Sequence, residues 1–342
     1  EVTNMITKGK ILVLGGTGAM GRYCVPELLR LGHKVDVAAL DSIESNNPNL
    51  RYIVGNVKEA GVTEKLLKEG KYDAVIDFMT YGTNEFKGMY DLFLDNTKHY
   101  IFLSSCRVFA DCPPITERSP RLLDVCTDPV FMATDDYALY KAREEDMLRN
   151  SGKNNWTIVR PATTFSTGRY QLVTLEAPDF VHRMRMGKTV ILPEEAMEKE
   201  ATLGWGGDVG VMIARLVLND EAYGEDFNVA TGEHHTWREI AEMYKELCGL
   251  KYITVPFEDY LSILGGETWR RYQLLYARMF RRITDNTKVL KTTGMKQGEL
   301  MPLFDGLKTE LENTKNQNWE KYDTENRISQ RMDEYLKAKG IE

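Results

Sequence analysis

The chain has 342 residues, 42% of them hydrophobic, enough to bury a large core and to hold two domains, or one domain with an attached lobe. A formal charge of −7 excludes a broad nucleic-acid grip, because neutralising phosphates takes concentrated Lys and Arg. Five cysteines without C-x-x-C, five histidines without ligand spacing, no apolar run near ~20 residues and no apolar signal stretch argue against a disulfide framework, a metal centre and a membrane span, so a cytoplasmic protein is expected.

Lys10 to Gly21, KILVLGGTGAMG, opens the fold. Ile11, Leu12, Val13 and Leu14 are continuously apolar, as a parallel strand buried on both faces requires. Gly15, Gly18 and Gly21 then give G-x-x-G-x-x-G at a turn into a helical pattern. Glycines let the backbone turn tightly and approach a pyrophosphate, and the helix N-terminus offers unpaired N–H groups to the phosphates. No Gly-Lys-Ser/Thr follows, which disfavours a P-loop NTPase. The first helix carries Pro26, where a kink is expected. Strands at 35–40, 50–55, 72–78 and 100–105 alternate with helical stretches at 63–69 and 84–96. Cys112 to Val130 holds four prolines and reads as a loop, and long connections of this kind usually carry function or cover a site. A helix at 134–150 and a strand at 156–160 follow. This rhythm predicts an α/β fold, a Rossmann-type doubly wound parallel sheet over residues 8–165.

Beyond Pro161 the rhythm loosens. Helical pieces at 208–218, 236–248 and 260–279, with short strands at 190–192 and 227–229, predict a smaller α/β substrate lobe over 166–315, partly interleaved with the cofactor domain. The tail, 316–342, is charged, with apolar residues too sparse for much burial, and is expected to form a surface helix.

Tyr137 and Lys141 stand four apart on the predicted 134–150 helix, so both side chains fall on one face. A phenol, with an ordinary pKa near ~10, needs nearby positive charge to act as a base at neutral pH, and Lys141 supplies one such charge. Tyr335 and Lys339 repeat the spacing in the tail, so context must separate the pairs. Strand five ends in Ser104-Ser105-Cys106, where ligands of open α/β sheets bind, and a serine there can hydrogen-bond the oxygen that the tyrosine deprotonates. A glycine loop, a strand-end serine and Tyr-x-x-x-Lys in that order are far more specific than any one of them.

With these elements in place, the chain resembles an extended short-chain dehydrogenase/reductase of the NAD-dependent epimerase/dehydratase family, which acts on nucleotide sugars. The matching stretches are GGTGAMG at 15–21, DAVID at 73–77, YIFLSSCRVFAD at 100–111, YALYKAREE at 137–145 and IVRPATTFSTG at 158–168. LGWGGDVGVMIARLV at 203–217, DFNVATGEHHTWREIA at 226–241 and DNTKVLKTTG at 285–294 extend the likeness. The resemblance implies Tyr137 as acid/base, Lys141 as the holder of the nicotinamide ribose that also biases the tyrosine, and Ser105 as the binder of the reacting hydroxyl. It implies Gly15, Thr17, Gly18, Ala19, Met20 and Gly21 around the pyrophosphate and Asn56 near the adenine. Phe78, Met79 and Pro161 would line the cofactor, with Thr80, Cys106, Arg107 and Thr163 toward the substrate. Asp208 would be structural.

Two departures from the family pattern shape the expectation. The acidic residue that usually closes strand two falls at Ala39, and Asp41, two residues on, would take the ribose hydroxyls instead. No Lys or Arg follows between Ala38 and Asn49, so NAD is favoured over NADP. After Ser105 the family's 4,6-dehydratases carry Asp-Glu; here the pair is Cys106-Arg107, which lacks the carboxylates for eliminating water. Cys106 is expected to pack, and Arg107, a fixed cation unsuited to proton transfer, to hold a carboxylate or phosphate of the substrate or to pair with Asp111.

The sequence therefore points to an NAD-dependent nucleotide-sugar epimerase. One rival is an NAD(P)-dependent oxidoreductase of a sugar or other carbonyl substrate, and another is a non-catalytic cofactor- or RNA-binding relative. Expected partners are a nucleotide sugar, neither nucleic acid nor membrane. Relatives often dimerise through two helices of the cofactor domain, which leaves a homodimer open.

Overall fold

The computed structural model describes residues 6–341. Six strands, β1 (Lys10–Leu14), β2 (Lys34–Ala39), β3 (Leu50–Val54), β4 (Ala74–Asp77), β5 (His99–Leu103) and β6 (Trp156–Arg160), join an edge strand, Glu225–Asn228, in one parallel sheet. Its order is edge strand, β6, β5, β4, β1, β2, β3. Ile11 to Leu14 are fully buried in its centre, which is what their unbroken apolar run demands. The chain reverses its direction of travel between β1 and β4, and the crevice beyond their carboxyl ends is where such sheets take ligands.

Helices cover both faces. The first helix (Gly21–Arg30) runs unbroken through Pro26 and crosses the helix Gly206–Leu216, with Cys24, Leu28, Met212 and Ile213 buried between them and the sheet. The crossing is close: a Cβ at Gly210 would lie 2.8 Å from Cys24 N and Met20 O. On the other face Leu67, Phe93, Tyr100 and Leu148 form a second core. A third core fills the lobe around Phe180, Trp237, Tyr244 and Tyr260. Among the described residues no helix is long and apolar enough to cross a membrane.

Several sequence expectations change here. The 206–216 helix and the 225–228 strand, expected in the lobe, belong to the sheet layer. Phe227, fully buried, pairs with Val159 and covers what would otherwise be an apolar edge of β6. The 84–96 stretch is two helices, Thr83–Lys87 and Tyr90–Asn96. The 260–279 stretch breaks at Gly265-Gly266, both at positive φ, into Phe257–Leu264 and Thr268–Gln273, followed by a π-turn at Leu274–Arg278. The proline-rich loop does not reach the main cavity; Ile115 bridges Thr284 and ties it to the segment that carries Arg282.

The tail departs most from expectation. Trp319, Ile328, Met332 and Leu336 are buried in the lobe core. Ile328, Met332 and Leu336 recur every four residues on the helix Ile328–Ala338, so few apolar residues suffice for a continuous stripe. Asp333 pairs with the buried Arg183 at 2.8 Å, and Arg183 also donates to Ser329 O.

Candidate active site

Gly21 opens the first helix directly after the glycine turn. A Cβ there would sit 2.6 Å from the backbone of Gly16, so the loop closes on itself only with glycine at this position. The helix has no side-chain cap at Met20 and no acidic residue in its first turn. Among the described residues the amides of Thr17, Ala19 and Met20 donate to nothing in the protein. Unspent amides at an uncapped helix N-terminus fit an anionic pyrophosphate.

Asp77, at the end of β4, is a residue that sequence reasoning passed over as part of DAVID. It accepts from Tyr100 Oη at 2.6 Å, Met79 N at 3.0 Å and Tyr81 Oη at 3.3 Å. Burial pushes its carboxyl up to about 6, against these donors. Asp77 thereby fixes the turn Phe78–Tyr81 that presents Phe78 and Thr80 to the cavity.

Tyr137 is the first residue of the helix Tyr137–Arg149, three residues later than the expected start. Asp136 caps it, accepting from Ala138 N at 3.1 Å. The phenol thus sits at the positive end of a helix. The Arg107 guanidinium carbon lies 5.2 Å from the Tyr137 ring centroid, and Lys141 Nζ 5.8 Å. Lys141 is fully buried and donates to Leu103 O at 2.8 Å, so it acts on the ring from within the protein rather than from the cavity wall. Ser105 Oγ accepts from Arg107 N at 3.1 Å, which leaves its own proton to donate.

The helix is clamped to the sheet by Glu145. Its carboxylate takes Ser104 Oγ at 2.6 Å, Arg160 Nε and Nη2 at 2.8 Å each, and Arg121 Nη1 at 3.2 Å. Burial would raise this carboxyl, but the Arg160 charge and hydrogen bonds, with Ser104 and Arg121, outweigh it and hold it below the usual range. The clamp joins the helix that carries Tyr137 to the ends of β5 and β6, where Ser105 follows β5.

One cavity of about 380 Å³ gathers Met20, Phe78, Thr80, Ser105, Cys106, Arg107, Tyr137, Pro161 and Thr163 on its wall. Cys106 donates to Arg160 O at 3.3 Å, and burial pushes its thiol up to about 12, so it packs as a neutral group. Arg107 pairs with Asp136 at 3.4 Å rather than with Asp111, which meets Arg281. Gly15, Thr17, Gly18, Ala19, Gly21, Met79 and Lys141 lie off the cavity wall. Asp41 and Asn56 are exposed just beyond the ends of β2 and β3, two strands whose last paired residues are Ala39 and Val54. Asn56 Nδ2 donates to Glu59 at 3.0 Å. Ala39 is buried and offers nothing polar there.

The lobe adds wall residues the sequence did not single out: Arg169, Gln171, Glu176, Trp237, Gln273, Arg278 and Arg282. Arg278 donates to Val173 O at 2.8 Å and to Gln171 Oε1 at 3.1 Å. Arg282 donates to Ala110 O at 3.3 Å, and its Nη2 has no partner among the described residues. Burial, and then the neighbouring guanidinium of Arg107, push Arg278 and Arg282 down to about 10. The only local signal was the run RMFRRITD, which reads as a solvated charged segment.

A model of the NAD dependent epimerase/dehydratase family matches residues 11–230, and the chain belongs to that family. Among curated relatives, a UDP-glucose 4-epimerase of Lactobacillus helveticus is 29% identical over 135 residues, 32% of this chain and 40% of its own length. The chloroplast stem-loop binding protein of 41 kDa b of Arabidopsis thaliana is 23% identical over 248 residues, 68% of this chain and 61% of its own. The chain thus covers less than two thirds of the length of either relative. The enzyme WbmG of Bordetella bronchiseptica, solved with NAD and UDP, shares the fold with a TM-score of 0.66 and 18% identity, over 92% of this chain and 96% of that one.

Proposed function

We propose that this chain is an NAD-dependent nucleotide-sugar epimerase that oxidises a sugar hydroxyl to a ketone and reduces it again from the other face. The observation that carries the reading is the shared cavity, whose wall holds Ser105 and Tyr137 together with Met20, Phe78, Thr80 and four arginines. The residues present fit the cofactor. The amides of Thr17, Ala19 and Met20 would hold the pyrophosphate, Asp41 and Asn56 the adenosine end, and Phe78, Met79 and Pro161 the nicotinamide end. When bound, NAD supplies a reversible hydride acceptor.

Ser105 donates to the reacting oxygen while Tyr137 takes its proton. Arg107 and Lys141 both lie over the Tyr137 ring, and the residue opens a helix. On reduction Tyr137 returns the proton. The neutral Cys106 and cationic Arg107 offer no carboxylate pair for eliminating water, which favours epimerisation over dehydration. The likeness to WbmG, solved with UDP, and to UDP-glucose 4-epimerases supports a nucleotide sugar as substrate.

The test is turnover of a panel of nucleotide sugars followed by NMR, with native mass spectrometry for retained NAD. Tyr137→Phe should fold normally and lose roughly 10²–10⁴-fold in rate. Near-full activity in that variant overturns the assignment of the base, and net accumulation of reduced nicotinamide favours an oxidoreductase. The likeness to a stem-loop binding protein adds an RNA arm: salt-sensitive retention of RNA hairpins without turnover would overturn the catalytic reading.

A further inference from the structure

The charged residues on the cavity wall are four guanidiniums, Arg107, Arg169, Arg278 and Arg282, and one carboxylate, Glu176, a net charge of +3. Arg107, Arg278 and Arg282 lie close enough to repel one another. Guanidiniums do not release their protons in proteins, so like charges gathered in a cavity await an anion. A nucleotide diphosphate brings two negative charges. Arg169, Arg278 and Arg282, less Glu176, balance that pair, and Arg107, whose carboxylate partner is Asp136, stands beside them.

Arg107 is also the cation nearest the reacting centre. Its guanidinium lies over the Tyr137 ring, and its amide is bound by Ser105 Oγ. Asp136 engages it only through Nη2 at 3.4 Å, with the same oxygen that caps Ala138 N. Arg107 Nε, buried, has no partner among the described residues. An Nε–H beside an Nη–H is one edge of the fork that grips a carboxylate.

Resting on the nucleotide-sugar reading, we infer that the sugar itself is acidic, and that Arg107 holds its carboxylate next to the hydroxyl that Tyr137 deprotonates. The cavity is thus built for a nucleotide-linked sugar acid, with the diphosphate toward Arg169, Arg278 and Arg282.

The experiment is calorimetric titration of the NAD-loaded protein with UDP, UDP-glucose and UDP-glucuronate at about 0.15 M salt, where loose charge attraction is screened. UDP-glucuronate should bind at least about 10-fold tighter than UDP-glucose, as a charge-assisted hydrogen-bonded pair provides. In Arg107→Gln the ratio should fall to within about 3-fold of one, and Arg107→Lys should recover part of it. Equal or weaker binding of the acid by the wild type, or a preference that survives in Arg107→Gln, overturns the inference and leaves the nucleotide-sugar reading intact. Failure of all three ligands to bind refutes that reading, and the inference with it.

Discussion

Replacing Glu144 with Gln probes a buried carboxyl group on the helix that carries the proposed base. Glu144 follows Lys141 by three residues on the Tyr137–Arg149 helix; its carboxylate is fully shielded, 3.8 Å from Lys141 Nζ, and neither oxygen has a hydrogen-bond partner among the described residues. Asp77 from β4, Asp135 ahead of the helix and Glu85 from the helix Thr83–Lys87 face it as like charges. Burial, and then these carboxylates, push Glu144 from 4.5 up to about 8 against the pull of Lys141. Between those values the folded protein keeps a proton that the unfolded chain releases, so stability falls as pH rises through that window. The span sets a ceiling of roughly 5 kcal/mol. Glu144→Gln does not titrate. It should match the wild type within about 1 kcal/mol near pH 5 and exceed it by about 2–5 kcal/mol near pH 8.5, read from urea unfolding followed by circular dichroism. Stability curves that stay parallel across that range would refute the reasoning.

Three further outcomes follow from the same geometry. Glu145→Ala removes the clamp and leaves Arg160, 1% exposed, short of its main partner, and should cost about 3–5 kcal/mol in urea unfolding; a loss under about 1 kcal/mol contradicts the clamp. Iodoacetamide at neutral pH should label the partly exposed Cys112 and Cys126 while Cys106 stays unmodified in the folded protein; peptide mapping that finds Cys106 labelled early removes it from the packed wall. NAD should bind more tightly than NADP, and Asp41→Asn should narrow the gap by about 3-fold by relieving repulsion of a 2′-phosphate; an unchanged gap in calorimetry takes Asp41 out of the ribose site.

The sheet was legible because its signals are local. Fully buried parallel strands leave unbroken apolar runs, and the glycine turn needs its residues at fixed positions. The lobe was less so, because its cavity wall comes from short segments whose charges look solvated in sequence. Arg278 reaches the cavity through the π-turn at Leu274–Arg278, where Tyr276 leaves helical geometry, and nothing in RYQLLYARMF marks that irregularity. The tail misled for a different reason: one apolar residue per turn looks sparse but makes a complete stripe. The duplicated Tyr-x-x-x-Lys shows how far spacing alone carries. Tyr335 donates to Asp259 at 2.8 Å and Lys339 lies over its ring, a structural pair on the outer side of a packed helix. Tyr137 differs by what surrounds it.

That difference also separates the two ends of the site. The end proposed for the pyrophosphate and nicotinamide rests on backbone: amides left unspent by a glycine turn, and a strand-exit turn held by Asp77. Those constraints are local in the sequence, so this end reads clearly and says little about what is transformed. The end proposed for the substrate is made of long charged side chains from the lobe, with Arg107 the one arginine on the cavity wall that comes from the sheet's own loops. Arg107 therefore couples the halves. Its main-chain amide donates to Ser105 Oγ and its guanidinium lies over the Tyr137 ring. A change there should alter which sugar is accepted and the rate of turnover together, whereas a change at Arg278 or Arg282 should alter the grip on the nucleotide alone.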